Sequence, residues 1–163
     1  MTHFGVYFWV AFLSFLPISE LRGAIPFAIA NGVPWYLAFA VAVFINALVA
    51  PACWIFLSTL HKLFQKMNWY QNVFERFIER ARSKLHNNVE RWGWLGVAVF
   101  VAIPLPLTGA WTGTLGAWVL GLSKRKTMLA VLLGVITSGI VVTAVVLLGI
   151  QALSLFINSN LSY

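Results

Sequence analysis

The chain has few residues that could carry charge or redox chemistry. Its 163 residues include one cysteine, four acidic residues and three histidines. Cys53 cannot form an internal disulfide, and its apolar surroundings indicate a small buried hydrophobe. No His, Cys or carboxylate set has metal-ligand spacing, and no nucleophile lies in a pattern with a base. We therefore expect no metal, no cofactor and no catalytic residue, so an enzyme is not the predicted class.

Apolar residues make up 61% of the chain and charged residues 9%. Soluble domains contain about 45 to 50% apolar residues, so this composition predicts an all-α integral membrane protein with one domain over 1–163. The first segment lacks a basic region, and Glu20 and Arg22 stand where a signal peptide would have small cleavage-site residues. We therefore expect this first segment to remain part of the protein rather than to be cleaved off. Membrane lipids are the expected surroundings, and nucleic acid is not an expected partner.

The positive charges indicate a topology. Seven of the eleven Lys and Arg residues lie within 62–91 and three at 124–126, while Arg22 is the eleventh. Short loops rich in Lys and Arg stay in the cytoplasm. Both clusters are therefore predicted on the cytoplasmic side, with both chain termini outside.

The segment 92–122 must then enter the membrane and return on the same side. One helix over it would reach about 46 Å, but Pro104, Pro106 and the stretch 109–113 interrupt it. Each arm is then about 18 to 20 Å long, against a hydrocarbon core of about 30 Å. These lengths predict a re-entrant hairpin over 92–122 whose tip is buried in protein or lines a wet cavity. Four simple spans are the alternative.

The first third of the chain repeats this plan. An arm, a broken tip over 17–26 and a stop at 31–34 predict a hairpin over 4–31, followed by a span over 35–60. The second hairpin is likewise followed by a span, over 127–156.

The tips can be aligned, with Arg22, Gly23 and Ala24 matching Thr108, Gly109 and Ala110. The predicted fold is therefore an inverted repeat of two units, 1–60 and 92–157. Each unit is a re-entrant helical hairpin plus one transmembrane helix. Secondary transporters use this arrangement to place a substrate site near the midplane.

The two units are joined by a basic linker over 61–91. Apolar residues recur there at steps of three and four, with basic residues on the other faces, which predicts a cytoplasmic amphipathic helix. It would lie among the lipid headgroups or cover the cytoplasmic end of the protein.

Glu20 and Arg22 are the most informative residues. An ionised side chain at bilayer depth costs about 2.5 to 3.5 kcal/mol, so such residues are usually paired and mark an ion or substrate path. Pro17 and Pro26 favour extended backbone, on which both side chains would face one cavity. The alternative is an ion pair that only fixes the fold.

The stretches 19–26 (SELRGAIP) and 104–113 (PLPLTGAWTG) resemble the small multidrug export proteins of bacteria and archaea, grouped with the DedA superfamily. The resemblance covers nearly the whole chain. It implies a prokaryotic inner (cytoplasmic) membrane, two facing re-entrant loops and transport driven by the proton-motive force. Some relatives are implicated in moving lipid phosphates or in scrambling phospholipids. Many carry further acidic and arginine residues in and after the hairpins, where this second tip has Thr108 and Thr112.

The candidate proton and substrate site lies in the two tips, and the spans add candidate pathway residues. It comprises Glu20, Arg22, Gly23, Pro26, Pro104, Pro106, Thr108, Gly109, Trp111 and Thr112, with Asn46 and Ser138 lining the pathway. Trp111 would stack on a substrate or fill the space between the tips.

Phosphate fits this site better than a cation does. A cationic drug needs an uncompensated carboxylate, whereas an anion needs a cation plus free N–H groups, which Gly23, Gly109 and Gly113 could supply. We predict that a proton on Glu20 releases Arg22 to hold an anion, completed by the Thr108 and Thr112 hydroxyls. A cationic-drug exporter, an uncoupled lipid scramblase and a structural protein stay open, as does a homo-oligomer.

Overall fold

The computed structural model describes residues 3–64, 93–105 and 108–160, and all regular structure within these ranges is helical. Six helices follow in order: α1 His3–Phe15, α2 Glu20–Ala30, α3 Trp35–Phe64, α4 Gly93–Ala102, α5 Ala110–Val119 and α6 Lys124–Asn160. The predicted amphipathic linker lies outside the described residues, except for its first turn, which continues α3. Pro106 also lies outside them.

Two of the helices are long and apolar enough to cross a membrane. Their apolar stretches, Trp35–His61 and Lys124–Ser154, contain 27 and 31 residues and so reach about 40 and 46 Å. Two helices with the length and composition of the predicted spans are therefore present, and each runs a few residues beyond its predicted bounds. The two long helices, α3 and α6, pack closely at Gly139. A Cβ built on this glycine would lie 2.8 Å from the Val43 side chain and 2.9 Å from the Phe39 ring.

The four short helices form two hairpins. Helix α1 packs against α2, and α4 packs against α5 where the Val101 side chain covers Gly113. Within the described residues, none of the four is long enough to cross a hydrocarbon core of about 30 Å by itself. Their helical pairing agrees with the predicted hairpins, while their re-entrant insertion stays a prediction. Helices α2 and α5 each pack against both long helices, so the breaks lie between α3 and α6.

The predicted extended backbone around Glu20 and Arg22 is wrong. The first break covers residues 16–19 alone, and α2 begins at Glu20 and includes Pro26. The proline removes one backbone hydrogen bond, to the Arg22 carbonyl, but its fixed φ suits a helix. Neighbouring helices cover such a gap in membrane bundles, so the helix continues.

The same turn links hairpin to long helix in both halves. After α2, Gly32 has φ 82° and its N–H bonds to Ile29, while the next N–H bonds to Ala28. After α5, Gly121 has φ 75° and the equivalent two bonds. This is the Schellman motif, in which glycine supplies the left-handed residue. The shared turn supports the predicted repeat, whose inverted orientation stays a prediction.

The topology can be tested by labelling. In a Cys53-free variant, a cysteine replacing Arg125 at the start of α6 should react with a membrane-permeant maleimide and not with an impermeant one added outside, because basic segments stay in the cytoplasm. A cysteine replacing Thr2 at the amino terminus should react with both. Labelling of position 125 from outside would contradict the re-entrant arrangement and favour four simple spans.

Candidate functional site

The break after α1 leaves carbonyl groups that side chains from other helices satisfy. Asn46 Nδ2 on α3 donates to the Ser14 carbonyl at 3.2 Å, and Trp111 Nε1 on α5 donates to the Phe15 carbonyl at 2.8 Å. The Trp111 ring also meets Phe15 edge to face, with centroids 5.5 Å apart. The last carbonyls of a helix have no partner within it, so these contacts cap α1. Trp111 therefore fills the space between the hairpins.

Arg22 supplies hydrogen bonds to polar groups at the break after α4. Its Nη1 donates to the Leu105 carbonyl and its Nη2 to Thr108 Oγ1 at 3.1 Å. The same hydroxyl lies 2.7 Å from the Ile103 carbonyl, to which it can donate. One guanidinium fork thus joins α2 to both sides of the second tip, a geometry for which the planar arginine is suited.

Glu20 occupies the N-terminal end of α5. Its side chain is 5% exposed, and its carboxylate lies directly over the Cα of Gly109, where a Cβ would overlap it. The Trp111 backbone N–H lies 3.5 Å from Glu20 Oε1, and the Ala110 N–H and the Asn46 amide are close by. A helix N-terminus carries partial positive charge and attracts a carboxylate. The Glu20 carboxyl group therefore lies at the positive end of α5.

The backbone at Glu20 is strained. Its φ of 47° lies in the left-handed region, which non-glycine residues avoid at a cost of about 1 to 3 kcal/mol. Such conformations persist where the surroundings impose them. Here the same residue that has the strained backbone also places its carboxylate over the N-terminal end of α5.

Glu20 and Arg22 thus bind different parts of the second tip. Each acts electrostatically on the other, yet their hydrogen bonds run across the hairpins, Glu20 to α5 and Arg22 to the segment before it. The left-handed turn at Glu20 and the length of the arginine let both reach the tip from a helix. The first interpretation, that extended backbone aligns them, is replaced by this arrangement.

Several predicted contributors have other partners. The N–H groups of Gly23 and Gly113 bond to Ser19 and Gly109 within their helices, so neither is free for an anion. Thr112 is exposed and its hydroxyl lies 3.4 Å from the Gly109 carbonyl. Its predicted place beside Arg22 is therefore not found.

The remaining predicted residues lie around the tips. Pro26 lies within α2 and Pro104 just after α4, both partly buried. Asn46 and Ser138 are both buried, at 0% and 2% exposure, on the two long helices. Asn46 lies beside Glu20, whereas the described contacts do not link Ser138 to it.

Sequence reasoning missed the backbone groups of the site. The carbonyls of Ser14, Phe15 and Leu105 accept three of the contacts between distant segments. The available signal was the interruption itself, because any helix break in an apolar environment leaves carbonyls that other segments must satisfy.

Contact between the tips can be tested by crosslinking. Cysteines replacing Glu20 and Gly109, in a Cys53-free variant, should form a disulfide on mild oxidation, because removing the carboxylate leaves room for the new side chain. Cysteines at 20 and 116 are the matched control. Position 116 lies about 10 Å further along α5. Equal crosslinking of both pairs, or none at 20 and 109, would contradict the contact.

These features define a class of protein. Two apolar helices long enough to cross a bilayer enclose two broken-helix hairpins, and a buried acid and an arginine lie where the hairpins meet. This is a helical membrane protein with a charged internal site.

A comparison with family models then identifies the family. Residues 20–141 match the model described as "Putative small multi-drug export protein", and the chain belongs to this family. The match begins at Glu20, just after the first break, and contains Arg22 and the whole second tip. No curated protein and no solved structure matches the chain.

Proposed function

We propose that this protein is a proton-coupled transporter that moves a lipid phosphate or another anionic amphiphile through a site between its two hairpin tips. The proton binds Glu20, and the anion binds Arg22. The two sites lie on one helix and share the second tip, so binding of the proton changes the affinity for the anion, and binding of the anion changes the affinity for the proton.

The observation that carries the proposal is an unpartnered donor on Arg22. Its Nε is buried and has no hydrogen-bond partner among the described residues, although both Nη atoms are engaged. An unpaired buried donor is costly, above all on a cation. A phosphate oxygen would satisfy it with a charge-assisted hydrogen bond.

The charge of the site explains why a proton would be needed. With Glu20 ionised, Arg22 is compensated and the N-terminus of α5 is already occupied by a carboxylate. An incoming anion would then be repelled. Protonation of Glu20 removes that negative charge and weakens its hold on the N–H groups, so one proton and one anion would bind together. Release of the proton would return the carboxylate to α5 and eject the anion.

The same geometry disfavours a cationic substrate. The Glu20 carboxylate is directed at the positive end of α5 and lies near Arg22, so a cation approaching it would meet both. Salt would relieve this repulsion little, because buried charges are screened much less than exposed ones. An anion is therefore the better fit.

The fold suits alternating access. We propose that the two hairpins and their spans form an inverted repeat in a prokaryotic inner membrane, with the basic segments in the cytoplasm. Transporters built in this way hold the substrate where two broken helices face each other. Movement of one hairpin against the other would expose Arg22 to either side.

The description of the family favours a second candidate, a drug exporter. We take its substrates to be cationic drugs. Such a protein would use Glu20 as the binding carboxylate and exchange its cation for a proton. It would have to break the contact of Glu20 with α5 at each cycle.

Reconstitution distinguishes the candidates. The purified protein in liposomes is assayed for movement of a fluorescent isoprenoid monophosphate and of a cationic dye, each with and without a pH gradient. We expect the gradient to drive the phosphate and not the dye. Gradient-driven dye movement would favour the drug exporter, equal phosphate movement in both directions without a gradient would favour a scramblase, and movement of neither would favour a structural role.

A further inference from the structure

We propose that two reciprocal contacts between the hairpins close the site from opposite sides. Trp111 with Phe15 closes it toward the cytoplasm, and Arg22 with the second tip closes it toward the outside. The inference rests on the proposed function, in which the site opens to each side in turn. It gives the two contacts separate roles in that cycle.

Each hairpin supplies the side chain that satisfies a carbonyl group at the break of the other. Trp111, from the second hairpin, donates its indole N–H to the Phe15 carbonyl at 2.8 Å. Arg22, from the first hairpin, donates to the Leu105 carbonyl and to Thr108 Oγ1. An unpaired carbonyl is costly in an apolar environment, so each contact holds the hairpins together until water or a ligand replaces it.

The two contacts lie on opposite sides of Glu20. Helix α2 begins at Glu20 and leads to the start of α3 at Trp35. Helix α5 leads to Trp118, whose ring meets that of His61 near the end of α3, with centroids 5.4 Å apart. The two helices therefore run toward opposite ends of α3. Because Arg22 follows Glu20 along α2, it lies nearer the Trp35 end.

Trp111 is displaced in the other direction. It lies in the first turn of α5, which runs toward the His61 end of α3. Its carbonyl lies 3.9 Å from Cys53 Sγ, about two turns further along α3 than Asn46, which lies beside Glu20. The contact of Trp111 with the first hairpin is therefore on the His61 side of the acid.

The positive charges relate these ends to the two sides of the membrane. The basic segments 62–91 and 124–126 follow α3 and α5 at the His61 end, and short basic segments stay in the cytoplasm. The contact of Trp111 would therefore face the cytoplasm and that of Arg22 the outside.

Side-specific labelling of a cysteine near Glu20 tests the proposal. In the full-length protein without Cys53, Ser14→Cys exchanges a fully buried hydroxyl group for a thiol. The Ser14 carbonyl accepts a hydrogen bond from Asn46, so the thiol lies close to the acid. A small, membrane-impermeant thiosulfonate is added to right-side-out or to inside-out vesicles, and the rate of labelling is measured.

Each contact has a variant that removes a hydrogen bond and keeps the shape of the side chain. Trp111→Phe retains a ring against Phe15 and loses the indole N–H, so labelling should become about two- to tenfold faster from the cytoplasmic side alone. Thr108→Val removes the acceptor of Arg22 Nη2. Because this hydrogen bond is charge-assisted, labelling should become about tenfold faster, from the outside alone.

Trp9→Phe and Thr137→Val are the matched controls. They make the same two changes at exposed positions on α1 and α6, outside the tips, and should leave the rates unchanged. An unchanged rate in either tip variant, faster labelling from both sides, or a reversal of the two sides would overturn the proposal. Side-specific labelling without gradient-driven flux would leave the two closures standing and reject the transport proposal instead.

Discussion

Replacing Gly109 with alanine should displace Glu20 from α5. A Cβ at this position would overlap the Glu20 carboxylate, so the flexible acid side chain has to give way. It would lose the backbone N–H groups of α5 while staying buried. We expect overpacking to cost about 1 to 3 kcal/mol of stability, measured as a fall of about 2 to 12 °C in the thermal midpoint, together with loss of gradient-driven flux.

Two variants make this result specific. Gly116 lies within α5, the helix that Gly109 precedes, and nothing lies within 4 Å of a Cβ built there, so Gly116→Ala should keep or slightly raise the thermal midpoint. In a Glu20→Ala background the carboxylate is gone, so Gly109→Ala should cost little more. If Gly109→Ala lowered the thermal midpoint as much in this background as in the unchanged protein, the glycine would be needed for something other than contact with Glu20.

Replacing Arg22 should have the second large effect. Lysine keeps the charge, but its single nitrogen cannot bond to Leu105 and Thr108 and also replace the separate Nε donor proposed for the phosphate. Hydrogen bonds to charged groups contribute about 1.5 to 3 kcal/mol, so Arg22→Lys should weaken phosphate binding about ten- to a hundredfold. Arg22→Gln, which also removes the charge, should abolish it. Binding is measured by titrating the phosphate probe into the purified protein.

Arg125→Lys is a matched control for this series, because it makes the same change at an exposed position at the start of α6, outside the proposed site. It should bind the phosphate probe normally. Unchanged binding in Arg22→Lys would mean that only the charge matters, and unchanged binding in Arg22→Gln would remove Arg22 from the substrate site.

The sequence was sufficient for the framework because length and charge are coarse constraints. Two apolar stretches had to be spans, and prolines and glycines interrupted the stretches between them. It is less reliable at α2, where the pattern predicts that a broken tip ends at Pro26, whereas Pro26 lies within the helix. Proline stops an isolated helix more readily than one covered by neighbours, and the sequence does not show which neighbours those are.

The candidate site was predictable in its residues and not in its contacts. Isolated charges in an apolar chain identified Glu20 and Arg22, but their partners depend on how two distant hairpins pack. The left-handed backbone at Glu20 and the capping of backbone carbonyls have no pattern in one sequence. For the same reason Gly109 was expected to offer an N–H, whereas its missing side chain is what admits the carboxylate.

The most direct test is gradient-driven uptake of the phosphate probe by Glu20→Gln and Arg22→Gln in liposomes, at equal protein levels. Glutamine at position 20 mimics the protonated acid, so uptake should lose its dependence on the pH gradient while some phosphate binding remains. Arg22→Gln should lose both binding and uptake. Unchanged gradient-driven uptake in both variants would contradict the account and reduce the two residues to caps that hold the hairpins together.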